Sequence, residues 1–190
     1  MTLILVTPPS VEPVSLAEAK QWLRVETDAE DTLVSSLIVS ARLVAEQTTR
    51  RLLLSQGWRI LLDAWPSGDV FDLPLAPLLS VDAIRMRDAA GGVQTLDVAS
   101  YMADLGPDRS RLAFVSPPPS PARAMNGVEI DVTAGYGADA GDVPQPIRQA
   151  MLMLIAHWFE NRGDVFDHDR ASLPAPVAAL LSPWRRARLA

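Results

Sequence analysis

Apolar residues recur at helical spacing towards both ends of the chain and at strand-like spacing in between. Leu16, Ala19, Trp22 and Leu23 share one face of a short helix running to about Val25. Ser15-Leu16-Ala17-Glu18 opens it as a capping box, in which the Ser15 hydroxyl accepts from a free amide and the Glu18 carboxylate reaches back. Thr27-Asp28-Ala29-Glu30 repeats the pattern, and Asp31 adds negative charge near the same positive helix end. Behind it Leu33, Val34, Leu37, Ile38, Ala41, Val44 and Ala45 predict a long amphipathic helix to about Arg51. Pro144 and Pro146 suit a further helix start. Ile147, Ala150, Met151, Leu154, Ile155, Trp158 and Phe159 then form one apolar face, and Gly163 is a natural stop. A polar loop over 164–173 leads to a short last helix from Pro176 to Leu181, and Pro183 opens the tail Trp184-Arg185-Arg186-Ala187-Arg188. The expected helical core is Leu33, Leu37, Val44, Met151, Leu154 and Trp158.

The middle of the chain has a different character. Trp58 to Leu62 begins as a strand, and Pro66-Ser67-Gly68-Asp69 reads as a turn. Val81 to Arg87 and Val93 to Leu96 flank Asp88-Ala89-Ala90-Gly91-Gly92 as the two arms of a hairpin. Arg111 to Val115 and Val128 to Thr133 are two further strands. The run Pro117-Pro118-Pro119-Ser120-Pro121 between them cannot sit inside a helix or a central strand. The expected fold class is therefore mainly α: a small bundle of three to four helices, an inserted small antiparallel β unit, and an extended C-terminal arm. The expected organisation is one domain over 1–190, with a helical core from 13–57 and 143–182, a β insertion over 58–142 and an arm over 182–190. No internal repeat is visible.

Composition narrows the function classes. With 48% hydrophobic and 21% charged residues the chain can bury an ordinary core and is not a disordered sequence. No apolar run approaches the ~18 residues of a membrane helix. The opening Met1 to Val6 is too short for a signal segment, lacks a basic flank and stops at Pro8-Pro9, so a cytoplasmic protein is expected. There are no cysteines, which excludes disulfides, cysteine-bound metals and thiol catalysis. The net charge of −6 argues against coating a phosphate backbone, since that needs Lys and Arg to neutralise phosphates. Lys20 is the only lysine, and every other basic side chain is arginine. Genome base composition accounts for this bias, and so does the suitability of arginine's planar fork for interface ion pairs.

Candidate chemistry is mostly rejected. A phosphate-binding loop needs lysine after glycine, whereas Lys20 follows Ala19. Gly135-Tyr136-Gly137-Ala138-Asp139-Ala140 formally matches a dinucleotide fingerprint, but Gly141 and Pro144 intervene where a helix should open, so a turn is expected. His157 and His168 are the only histidines. Asp164, Asp167 and Asp169 surround His168 without the spacing of a calcium loop, and a solvated loop is the simpler reading. No nucleophile elbow points to a Ser-His-Asp arrangement. No catalytic, cofactor or metal residues are assigned, and an enzyme is not expected. The two capped helices of 15–51 raise a helix-turn-helix DNA reader as an alternative, weakened by few arginines (Arg42, Arg50, Arg51) beside Glu30, Asp31 and Glu46. An undetected hydrolase is the second alternative. Trp184 with Arg185, Arg186 and Arg188 has the residue types of an interface hot spot, and equally those of a frayed basic terminus.

The order of segments resembles the head–tail connector (adaptor) family of tailed phages and phage-derived gene transfer agents. The carrying stretches are Val14 to Lys20 with Leu23-Arg24-Val25, then Asp28 to Asp31 opening the long helix to Arg50-Arg51. Leu73-Pro74-Leu75-Ala76-Pro77-Leu78, Val81 to Ile84 and Tyr101 follow. The most specific piece is Thr133-Ala134-Gly135-Tyr136-Gly137 with Val143-Pro144-Gln145-Pro146-Ile147, continuing as Ala150 to Leu154 and Ala156 to Arg162. The resemblance implies a helical core with a β insertion, assembled as a dodecameric ring under the portal around the DNA channel. It implies as partners other copies of the chain, the portal, a stopper or tail-terminator protein, and DNA that passes without sequence-specific binding; no membrane is implied. It places the protein in the cytoplasm during assembly and then at the head–tail junction of the particle. By segment, residues 182–190 would dock on the portal with Trp184 as anchor, helped by Arg185, Arg186 and Arg188.

Overall fold

A computed structural model describes residues 1–68, 70–161 and 173–186. The chain divides into two compact units, one built from residues 1–9 and 55–136, the other from 10–54 and 137–190.

The second unit is helical. Helix α1 (Leu16–Leu23) opens with the predicted box: the Ser15 hydroxyl accepts from the Glu18 amide at 3.2 Å, and the Ser15 amide donates to the Glu18 carboxylate at 2.9 Å. It stops at Arg24, whose φ of 58° is left-handed and ends the ladder. The second predicted box does not form. Asp28–Glu30 make a 3₁₀ turn with no side-chain cap from Thr27, and α2 begins at Asp31 and runs to Thr49. The acids there answer Lys20 instead, which reaches Asp28 at 2.7 Å and Asp31 at 2.6 Å and ties α1 to the start of α2. Helix α3 (Gln145–Glu160) follows Pro144, and α4 (Ala175–Leu181) follows Pro174. Helix α2 packs on α3, α3 on α4, and α1 touches both α2 and α3.

The buried stripe of α2 is Val34, Ile38, Ala41 and Ala45, and that of α3 is Ile147, Ala150, Met151, Leu154 and Ile155. Of the residues expected in the core, Met151 and Leu154 are buried, while Leu33, Leu37, Val44 and Trp158 are half-buried. The small side chains of Ala41, Ala45 and Ala150 mark the line of approach, because short residues let helix backbones come close and push larger ones to the flanks.

Among its described residues the first unit contains eight strands: β1 (Thr2–Thr7), β2 (Gln56–Leu62), β3 (Val70–Leu73), β4 (Leu78–Arg87), β5 (Val93–Thr95), β6 (Tyr101–Leu105), β7 (Ser110–Phe114) and β8 (Val128–Ala134). They form a five-stranded antiparallel sheet in the order β1-β2-β8-β4-β5 and a three-stranded antiparallel sheet in the order β3-β7-β6. The two meet along β4 and β6. Strand β8 is central, and its register lines up Ile60, Ile130 and Ile84 across three strands, all wholly buried. Leu62, Val128 and Met86 form the next buried row. The hairpin of β4 and β5 closes around Asp88, whose carboxylate accepts from the amides of Ala90 and Gly92.

This corrects the mainly α expectation: the fold is α+β, with two antiparallel sheets in addition to the helices rather than a small β insertion. The strands that were missed are β1, β3 and β6. Strand β1 is apolar throughout between its terminal threonines and β3 and β6 are short, so none carries the period-two pattern that identifies a strand locally. The partners of β1 and β3 lie far along the chain, with β1 on β2 and β3 on β7, and only those ladders make them strands, whereas β6 pairs with the adjacent β7.

Candidate docking and assembly surfaces

Among the described residues, three surfaces with polar or aromatic side chains are candidates for meeting a partner. The first is the C-terminal segment. Val177 and Leu181 bury one side of α4, and Ser182–Trp184 continue as a 3₁₀ turn. Helix α2 ends at Arg50 with φ 58°, which turns the chain so that Arg51 and the Thr49 carbonyl face this segment. Arg51 Nε donates to the Trp184 carbonyl at 2.7 Å, and the Arg186 amide donates to the Thr49 carbonyl at 2.9 Å. Residues 182–186 are thus fastened to the end of α2. Trp184 and Arg186 are half-buried there and Arg185 is exposed, while Arg188 lies outside the described residues.

The second is a shallow open groove of about 550 Å³ lined by Glu18, Gln21, Trp22, Arg24 and Leu152, from α1, its left-handed cap and α3. Glu18 is held below the usual carboxylate range by the Ser15 amide, with Arg148 adding an ion pair. Arg148 in turn donates to the Pro13 carbonyl at 2.8 Å, so the rim carboxylate is fixed and ionised.

The third is the polar face of the five-stranded sheet. Along β8 the side chains alternate, Val128, Ile130 and Val132 to the core and Glu129 and Asp131 to the other face. Arg59 of β2 makes a two-point contact with Asp131 at 2.6 and 3.0 Å, and Arg85 of β4 also pairs with it. Arg87 pairs with Glu129. Three guanidinium groups therefore lie across two carboxylates. The Arg59 hydrogen bond, then those of Arg85, hold Asp131 below the usual carboxylate range, and Arg59 is raised by the same contact. The alternation Val-Glu-Ile-Asp-Val in β8 with Arg-Met-Arg in β4 was the sequence signal for this face.

The sign of the pH dependence follows. A depressed folded pKa means that Asp131 stabilises the fold fully above its unfolded value of about 3.9. That contribution disappears as pH falls through the lower folded value. The urea midpoint is expected to stay level from pH 7 to about 5 and to fall below about 4. Asp131→Asn should flatten part of that fall, Glu18 and Asp28 (also lowered) supplying the remainder. An identical acid limb in the variant would show that the pairs contribute nothing.

Among the described residues the remaining sequence candidates hold no shared site. Gly135 (φ 141°) turns the chain after β8, and Asp142 caps the 3₁₀ turn Ala140–Asp142 by accepting from the Asp139 amide at 3.0 Å. A side chain at Gly137 would strike the Asp142 carboxylate, so these glycines serve a tight turn and open no long helix. His157 is half-buried near the end of α3, where its carbonyl accepts from the Asn161 side chain at 2.7 Å. His168 lies outside the described residues. Among the described residues no group of three acidic or histidine side chains could hold a metal ion, and no helix is long and apolar enough to cross a membrane.

No protein-family model matches the chain, and no curated protein matches it. Solved structures do. A chain from the neck of an empty gene transfer agent particle computed with C6 symmetry is 33% identical, with TM-score 0.86, and the match covers 100% of this chain and 98% of that one. This chain belongs to the head–tail connector family. A second structure, the virion of a native gene transfer agent particle, matches this connector at 32% identity and TM-score 0.85 over the same shares of both chains. A third, the neck of a native particle computed with C12 symmetry, matches at 31% and 0.83, again over 100% and 98%. The likeness therefore spans both units of the connector and both of the sheets that its sequence had left partly hidden.

Proposed function

We propose that this chain is a non-enzymatic structural subunit of the head–tail junction, forming a ring between the portal and the stopper or tail components of a phage-like particle. The observation that carries the reading is the match, over the whole chain, to subunits of gene transfer agent necks, one computed with C12 symmetry. Twelve copies make the ring, and DNA passes through its channel. The net charge of −6 suits a wall past which DNA slides, since a wall that held it would carry an excess of Lys and Arg. The subunit assembles in the cytoplasm and then resides in the particle.

Docking on the portal is through residues 182–190, with Trp184 as anchor beside Arg185, Arg186 and Arg188. The fastening of Trp184 and Arg186 to α2 supports this reading, because it gives the segment a fixed base from which Arg185 projects. Contact with the portal then offers a new ring face to the next component. A DNA-regulator role is disfavoured by Arg42, which is buried and committed to Glu12 at 2.8 Å and Glu46 at 3.2 Å, leaving the long helix little to give a phosphate.

The test is to mix the purified protein with isolated portal and image the product by electron microscopy. A second ring beneath the portal is expected. Bare portals, with portal that accepts its other partners, would overturn the proposal, and duplex-DNA titration at two salt concentrations would then examine the regulator.

A further inference from the structure

We infer that neighbouring copies join by continuing the five-stranded sheet, strand β1 of one copy pairing in parallel with strand β5 of the next. The inference rests on the ring reading above and names the surfaces that close it.

The five-stranded sheet has two edges, β1 and β5. All six residues of β1 are exposed, including Leu3 at 38%, Ile4 and Leu5 at 44% and Val6 at 54%. The strand Thr2-Leu3-Ile4-Leu5-Val6-Thr7 carries no charge. A free edge of this kind shows a row of unpaired amides and carbonyls, and proteins that remain single normally blunt it with lysine, proline, or a bulge. Here the one irregularity of register falls between Leu5 and Thr7, and Pro8 comes later still, so Thr2 to Leu5 remain a regular template. At the other edge Val93, Gln94 and Thr95 are likewise exposed and uncharged.

Topology selects the partner. Every neighbouring pair in this sheet is antiparallel, and the number of strands is odd, so β1 and β5 run in the same direction. Two copies related by the small rotation of a many-membered ring keep nearly the same orientation. Strand β5 of one then meets β1 of the next in parallel, with the two sheet faces continuous. This is a head-to-tail contact between two different patches, the kind that closes rings. Pairing of β1 with a second β1 would be antiparallel about a two-fold axis and would stop at a dimer.

The register also fixes which side chains become neighbours. Ile4 stands opposite Arg59, and Val93 and Thr95 opposite Arg87 and Arg85, so these belong to the arginine-bearing face. Leu3 and Leu5 stand opposite Ile60 and Trp58, and Gln94 opposite Met86, on the other face. In the joined sheet Ile4 is therefore flanked by Val93 or Thr95 and is turned away from Gln94.

Because the chain has no cysteine, single introduced thiols report these contacts cleanly. Ile4→Cys would be mixed with Val93→Cys, Thr95→Cys or Gln94→Cys, assembled on isolated portal and treated with a short bis-maleimide. Covalent dimers are expected from Ile4→Cys with Val93→Cys or Thr95→Cys, at several-fold higher yield than with Gln94→Cys or with Ile4→Cys alone. The double variant Ile4→Cys/Thr95→Cys should give a ladder of linked species. Dimers from Ile4→Cys alone would replace the inference with a two-fold contact. A ring visible on the portal with no β1–β5 cross-link would overturn the inference and leave the ring reading intact, whereas no ring would remove both. As a second measurement, Ile4→Lys is expected to keep its melting temperature and lower ring occupancy at least tenfold; full occupancy would count against the junction.

Discussion

A chain ending at Leu181 is expected to fold and yet to leave isolated portals bare. Val177 and Leu181 remain in place to hold α4 on α3, so the buried stripes of the helical unit are retained. The losses within the subunit include the Arg51 bond to the Trp184 carbonyl, the Arg186 amide bond to Thr49 and the Ser182 hydroxyl bond to the Ala179 carbonyl. A neutral hydrogen bond contributes about 1 kcal/mol and one from a charged group about 2 kcal/mol, so the melting transition should move down without disappearing. Portal binding should weaken far more. An aromatic anchor at an interface is commonly worth about 2–4 kcal/mol, and removing it together with its arginines is expected to weaken docking by at least a hundredfold. The single change Trp184→Ala should give most of that loss. Counting portals that carry a second ring, beside a melting curve of the same preparation, measures both effects. Normal docking by the folded, truncated chain would remove residues 182–190 from the docking role.

Ile130→Ala is expected to give the largest loss of stability of any single change considered. Ile130 sits in the middle of central strand β8, between Ile60 and Ile84, and all three are wholly buried. Truncation to alanine removes the transfer free energy of the lost carbons and leaves a cavity walled by two stiff β-branched neighbours, which cannot collapse into it. The expected loss is about 2–5 kcal/mol, whereas Ile130→Val should cost only about 0.5–1.5 kcal/mol. In urea the midpoint should fall with the slope unchanged, and for a unit of this size each kcal/mol corresponds to about 4–8 °C of melting temperature. A loss below about 1 kcal/mol for the alanine variant would show that this row is not the packed centre of the unit.

The sequence by itself determined several features whose cause is local. The Ser15–Glu18 box, the amphipathic stretches of α2 and α3, the proline-led starts of α3 and α4, and the hairpin around Asp88 follow from residues within a few positions of one another. The order of its segments also carried the family resemblance, which the full-length likeness to gene transfer agent neck subunits then established. Tertiary structure decided what depends on distant partners. The α+β class was one such feature, because β1 and β3 become strands only through ladders with residues far along the chain. The Thr27 box gave way to Lys20, whose ammonium draws Asp28 and Asp31 together across two helices. The attachment of Trp184 to Arg51 joins positions on either side of most of the chain. The open edges at β1 and β5 exist only once the sheet is ordered, since a strand is an edge by virtue of its neighbours and no residue pattern of its own records that place.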